Sequence, residues 1–329
     1  MTKVLKYLGT RTSIGSKRSG HNHVSGAWRR VRSKTRSMKL FAGVQRFAAA
    51  GMALVLTGVS AAHAQDASDW AQEFHAAARL IAGAAATGAN SKWLRAGIEV
   101  RLDPGWKTYW RDPGDSGTPP TFDFAESANV ASVATRWPAP MRFDDGAGGY
   151  SIGYRDHVIW PLRVMPKDSS KPTSLRVKLH YAVCGKLCVP AEADLTLLLP
   201  GKKGAEETAL AAAEARVPRR EDLHPGSGCV ELLAVCSVHR EFKEGRQRVV
   251  VEVAAPQGTQ VELFAEGPTP EWALPLPEAD NSTTGRQTSL RRFTFALDGL
   301  PPGAQAEGAT LTLTAVSPTD AVEVKARLD

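Results

Sequence analysis

SLRVKLHYAVCGKLCVPAEADLTLLL, residues 174–199, is the stretch from which the fold is read. Leu175, Val177, Leu179, Tyr181 and Val183 alternate with other residues at the period of a strand that buries one face. An apolar run resumes at Leu195–Leu199, so Cys184 and Cys188 fall at or near a connection between two strands. The three residues between them include Gly185. They let the backbone fold back until the Cα atoms reach the roughly 4.4–6.8 Å that a disulfide requires. A reversible dithiol is chemically possible there.

Strand patterns extend upstream. From Trp93, the residues Ala96, Ile98, Val100 and Leu102 alternate with Arg95, Glu99 and Arg101 up to the turn Asp103-Pro104-Gly105. The segment GWKTYWRDPGDSGTPP (105–120) reads as an aromatic strand entering a Gly/Pro/Asp loop. Its rings Trp106, Tyr109 and Trp110 either belong to the core or wall the dithiol. Arg142–Tyr150 holds three glycines in four residues and reads as a mobile or tightly turned loop. Strand patterns return from Ile152 to Val164. Short strands between Gly/Pro turns, without helical periodicity, predict an antiparallel β-sandwich over 91–200.

Residues 65–90 are Ala-rich and read as an arm or a short helix. Residues 201–220 read as a linker with a short helix that ends at Val217-Pro218. Beyond them, 221–329 reads as a second small sandwich with strands at 248–253, 260–264, 272–276, 292–297, 310–316 and 321–328. The expected class is all-β.

The net charge of +7 is misleading. Residues 1–64 hold 12 Lys and Arg and no Asp or Glu, which leaves 29 basic against 34 acidic residues, a balance of −5. Arg46, the apolar run Phe47–Val59 and Ala62-His63-Ala64 read as a secretory signal cleaved after Ala64, with Met38 as a conventional start and a basic extension before it. No folded pattern accompanies that extension, so a nucleic-acid partner is not expected. The Phe47–Val59 run is shorter than the ~20 residues of a spanning helix, and no comparable run follows, so the mature chain is expected to be soluble, without a transmembrane segment.

Export implies an oxidising compartment, where four cysteines form up to two pairs. Nearness favours Cys184 with Cys188 and Cys229 with Cys236. The first pair reads as a structural staple, as a redox-active dithiol, or as a soft-metal site for copper(I) in which His180, Met141 or Met165 adds to the thiolates. Cys229 and Cys236 lie seven positions apart, so a turn is needed to join them, and they read as a structural disulfide.

Four ordered segments carry a resemblance: GWKTYWRDPGDSGTPP (105–120), WPAPMRFDD (137–145), SIGYRDHVIWPLRV (151–164) and HYAVCGKLCVPAEA (180–193). Together they resemble the periplasmic N-terminal domain of the DsbD/ScsB family of thiol:disulfide interchange proteins, with a cysteine spacing nearer the ScsB type. The layout after Arg220 is similar to the second sandwich of ScsB-like members. The resemblance implies an immunoglobulin-like sandwich in the periplasm that needs no cofactor and passes reducing equivalents through its cysteine pair. Cys188 would form the mixed disulfide and Cys184 would resolve it. Arg142–Tyr150 takes the place of the family's cap loop. Asp144 or Asp145 would disfavour a nearby thiolate there, and since the place of the family's capping aromatic falls at Ala147, either Tyr150 substitutes for it or the cap is weaker. The family's membrane and thioredoxin-like domains have no counterpart in this sequence. Separate partners, a membrane thiol reductase and thioredoxin-fold periplasmic proteins, are therefore expected; the alternative is a non-catalytic interaction or copper-handling module whose cysteines form an inert staple.

Overall fold

The computed structural model describes residues 65–84, 92–145, 148–201, 204, 206–223, 229, 232–243, 245–280 and 290–329. The segment read as a secretory signal lies outside the described residues, as does Ala147.

Eleven strands build the first sandwich: β1 (Ala71–Glu73), β2 (Ala76–Ala82), β3 (Leu94–Leu102), β4 (Lys107–Gly114), β5 (Thr121–Asp123), β6 (Val130–Thr135), β7 (Met141–Asp144), β8 (Tyr150–Arg155), β9 (His157–Pro166), β10 (Thr173–Cys184) and β11 (Cys188–Leu199). One sheet has the order β1-β2-β3-β9-β6. The other has the order β11-β10-β4-β8-β7, with β5 also paired to β10. Each strand sends alternate residues inward. Leu80, Ile98, Val100, Trp160 and Leu162 from the first sheet meet Trp110, Leu175, Val177, Leu179 and Leu195 from the second in one core.

The described part of the Ala-rich segment, 65–84, is neither an arm nor a helix. Ala76, Ala78, Leu80 and Ala82 face the core, and β2 pairs with β3 from Ala76↔Leu102 to Ala82↔Ala96. Alanine has little strand preference of its own. Its small side chains nevertheless fit a strand held between a partner strand and the opposite sheet, so the sandwich begins at β1.

The helix α1 (Glu206–Ala215) does not hang between domains but lies on the outer face of the first sheet. Leu210 and Ala213 are buried there against Ile81 and Ile159. Gly97 makes room, since a Cβ at that position would stand 3.0 Å from Leu210 Cδ1 and 2.9 Å from Ile159 Cγ2. Ion pairs fasten the helix: Arg79 to Glu206 at 2.7 Å, and Arg95 to Glu207 at 2.5 Å and to Glu214 at 2.6 Å.

The second sandwich comprises β12 (Arg219–Glu221), β13 (Ala234–Lys243), β14 (Arg246–Ala254), β15 (Glu262–Glu266), β16 (Glu278–Ala279), β17 (Leu290–Ala296), β18 (Thr310–Val316) and β19 (Ala321–Arg327). Its sheets are ordered β12-β19-β18-β15 and β13-β14-β17-β16, over a core that includes Val251, Leu263, Phe293, Leu313 and Val324. The expected strand at 272–276 is a loop in which Trp272 is buried. Prolines at 268, 270, 275 and 277 withdraw the ladder donors a strand there would need. β13 escapes the alternation pattern because it is an edge strand carrying His239, Arg240 and Glu241.

Trp110 and Phe264 meet between the sandwiches with ring centroids 5.9 Å apart. Beside them Arg111 reaches Glu266 at 2.6 Å and Glu323 at 2.7 Å, and Arg220 adds a 3.0 Å contact to Glu323.

Candidate thiol-disulfide site

β10 and β11 form a hairpin whose last aligned pair is Cys184↔Cys188. The Gly185 amide donates to the Leu187 carbonyl at 3.0 Å, closing the three-residue tip, and a disulfide joins the two cysteines with Cα atoms 4.1 Å apart. The two ends of this bond differ in access. Cys184 is 1% exposed, whereas Cys188 lies open to solvent beside Leu187, which is 74% exposed.

The neighbouring strand β4 supplies the floor. Lys107 is aligned with Cys184, and Tyr109 follows two residues later on the same face. The Tyr109 hydroxyl stands 2.9 Å from Cys184 Sγ and 3.3 Å from Cys188 Sγ. Burial pushes the phenol's pKa up, so it remains a neutral O–H able to donate to a sulfur. The ring occupies a niche left by Gly117, where a Cβ would stand 2.3 Å from Tyr109 Cε1. Gly117 also holds φ +143°, a conformation that other residues rarely adopt.

Trp106 covers the tip, with Gly185 so close that a Cβ there would lie 2.7 Å from the indole Cε2. Behind it His75, from the β1–β2 turn, stacks on the indole at 3.8 Å and contacts Asp103 at 2.6 Å. Phe74 beside it is 66% exposed.

The Lys107 ammonium is half-buried and donates to Ser151 Oγ at 2.9 Å. Burial lowers its pKa, with Arg155 acting in the same sense and the carboxylates of Asp145 and Asp144 opposing. Asp144 ends β7 and Asp145 opens the loop to β8. Gly149 N donates to Asp145 Oδ1 at 3.0 Å and Tyr150 N donates to Asp115 Oδ2 at 2.9 Å, tying this loop to the one after β4. The loop's negative charge therefore has an ammonium beneath it.

The model of the N-terminal region of thiol:disulfide interchange protein DsbD matches residues 77–200. Those residues form a DsbD/ScsB N-terminal-like domain. The chain is also similar to the crystal structure of the N-terminal periplasmic domain of ScsB from Proteus mirabilis. That match has a TM-score of 0.61 at 22% identity and covers 80% of this chain and 99% of that one. It shows the immunoglobulin-like fold expected from the sequence. No curated protein matches.

One residue expected beside the cysteines of the DsbD/ScsB-like domain lies elsewhere. Trp110 points to the opposite face of β4 from Tyr109 and is fully buried in the sandwich core. Tyr150 lies with its ring 5.3 Å from the Arg142 guanidinium. Arg142 in turn donates to the Pro277 carbonyl at 3.3 Å.

Sequence reading missed Lys107, Ser151, Gly117 and His75. The two-residue spacing of Lys107 and Tyr109 marks a shared face, but nothing local says that this face receives the cysteines. His75 comes from the segment read as an arm.

Cys229 and Cys236 are joined with Cα atoms 5.7 Å apart, both buried with Ala234 and Ala254. The register of β13 on β14 skips at Cys236, between Val235 and Ser237, and this bulge turns the cysteine out of simple alternation. Two of the copper(I) ligands weighed beside Cys184 and Cys188 make other contacts. His180 faces Glu192 at 3.2 Å, and Met165 is aligned with Ser132 in the other sheet. Among the described residues no group of three or more His, Cys, Asp or Glu is arranged to hold a metal ion, and no helix is long and apolar enough to cross a membrane.

Proposed function

We propose that the DsbD/ScsB-like domain exchanges disulfides in the periplasm, carrying reducing equivalents from a membrane thiol reductase to thioredoxin-fold proteins or other periplasmic clients. The observation that supports this reading is the asymmetry of the bond: Cys188 is exposed, Cys184 is buried, and one tyrosine hydroxyl stands within reach of both sulfurs.

A thiolate of the donor's dithiol attacks Cys188 Sγ. A donor–Cys188 bond forms, the Cys184–Cys188 bond breaks, and its electron pair leaves on Cys184 as a thiolate that accepts the Tyr109 hydrogen bond. The donor's second thiolate then displaces Cys188, so the donor is oxidised and the domain holds two thiols after taking up protons from water. Delivery runs in reverse: the Cys188 thiolate attacks a client disulfide and expels one client sulfur as a thiolate. Cys184 then attacks Cys188 Sγ, re-forming the domain's disulfide and releasing the reduced client. Thiolate fraction, leaving-group pKa and access govern each displacement.

Equilibration against glutathione tests whether the bond is exchangeable. A reduction potential above about −300 mV is expected, and one well below it identifies an inert staple.

A further inference from the structure

The outer face of the first sheet, away from the cysteines, carries a second concavity. Arg95, Arg136, Arg163 and Glu214 line a cavity of about 360 Å³ together with Trp93, Pro161 and Val217. Arg95 on β3 stands directly opposite Arg163 on β9, and the Arg136 amide donates to the Pro161 carbonyl at 2.8 Å, two residues from Arg163.

The charges there are unevenly matched. Arg95 is neutralised by Glu214, at 3.0 and 2.6 Å, and by Glu207. Among the described residues, the Arg136 and Arg163 side chains have neither a hydrogen-bond partner nor an ion-pair partner. Like charges held close on a sheet are destabilising. Burial pulls the Arg136 pKa down, Arg163 and Arg220 add to this, and Glu323 and Glu214 oppose it. Three arginines against Glu207 and Glu214 thus leave an excess of positive charge in a hollow, although the residues beyond Ala64 are acidic in balance.

We propose that this concavity binds a small carboxylate with a flat apolar body, its carboxylate held by Arg136 and Arg163 and its body laid against Trp93 and Pro161. Guanidinium forks match the planar carboxylate, and an indole with a proline ring supplies an apolar wall. The volume is at the lower end of the roughly 300–1,000 Å³ of small-molecule sites, room for a ring with its carboxylate. The site is independent of the cysteine chemistry.

Calorimetric titration of the purified protein at low ionic strength with benzoate, acetate and inorganic phosphate tests the assignment. Benzoate is expected to bind more tightly than the other two. Arg136→Gln and Arg163→Gln should each weaken it by about tenfold or more, as loss of a charged hydrogen-bond donor does. Trp93→Ala should reduce benzoate to the level of acetate. Without ligand, both arginine variants should melt no lower than the parent, because each removes an unmatched charge, whereas an arginine with a structural role would lower the melting temperature. Absence of benzoate binding, binding unchanged in both arginine variants, or phosphate bound as tightly as benzoate would overturn the proposal.

Discussion

Tyr109 carries the clearest prediction at the scale of one residue. Its hydroxyl is the group placed to receive charge on either sulfur, and its ring is held by the niche at Gly117. Tyr109→Phe keeps the ring and removes the donor. A hydrogen bond to a charged group contributes about 1.5–3 kcal/mol, so the thiolate pKa of the reduced pair should rise by about one unit or more. Ultraviolet thiolate absorbance against pH would read this, while the circular dichroism spectrum stays unchanged. Gly117→Ala, which crowds the ring without deleting the hydroxyl, should shift the same titration in the same sense. If Tyr109→Phe leaves the titration unmoved, the phenol serves only as packing.

Elements were legible where both faces of a strand declare themselves. β10 alternates cleanly because its inner face is Leu, Val and Tyr and its outer face carries Arg, Lys and His. β2 was illegible because three of its four core positions are alanine, which suits helix and strand patterns alike. The cysteine loop was legible from Gly185, but its surroundings come from β4, β8 and the β1–β2 turn, which only the sheet order brings together. The helix α1 was foreseen and its seat was not, since Gly83 and Gly97 look like strand breakers until Leu210 is placed above them. Leu210 is fully buried at that seat. Leu210→Ala should cost about 3 kcal/mol in urea unfolding, because removing a buried leucine leaves a cavity. A cost below about 1 kcal/mol would mean that the ion pairs alone hold the helix.

At the scale of the molecule, Glu99 ties together β2, β3 and β9, accepting from Arg79 at 2.7 Å and meeting Arg101 at 3.1 Å and His157 at 3.0 Å. Burial raises its pKa, but hydrogen bonds from His157 and Arg79 and the charges of Arg79 and Arg101 outweigh this and bring it to about 2, against 4.5 unperturbed. The folded state therefore binds fewer protons than the unfolded state between these values. The stabilisation is complete above pH 4.5 and is lost as pH falls toward 2. Glu99→Gln should lower stability at neutral pH by about 3 kcal/mol, with the difference from the parent shrinking below pH 4.5. A constant difference across that range would mean that shape, not charge, is responsible. The account as a whole rests on Cys188 as the sulfur that partners meet. Its most direct test exposes Cys184→Ser and Cys188→Ser variants to a periplasmic extract and compares the intermolecular disulfides trapped by each. Cys184→Ser should accumulate mixed disulfides that map to Cys188, and Cys188→Ser should accumulate few or none. Trapping through Cys184 alone, or by neither variant, would contradict the exchange mechanism.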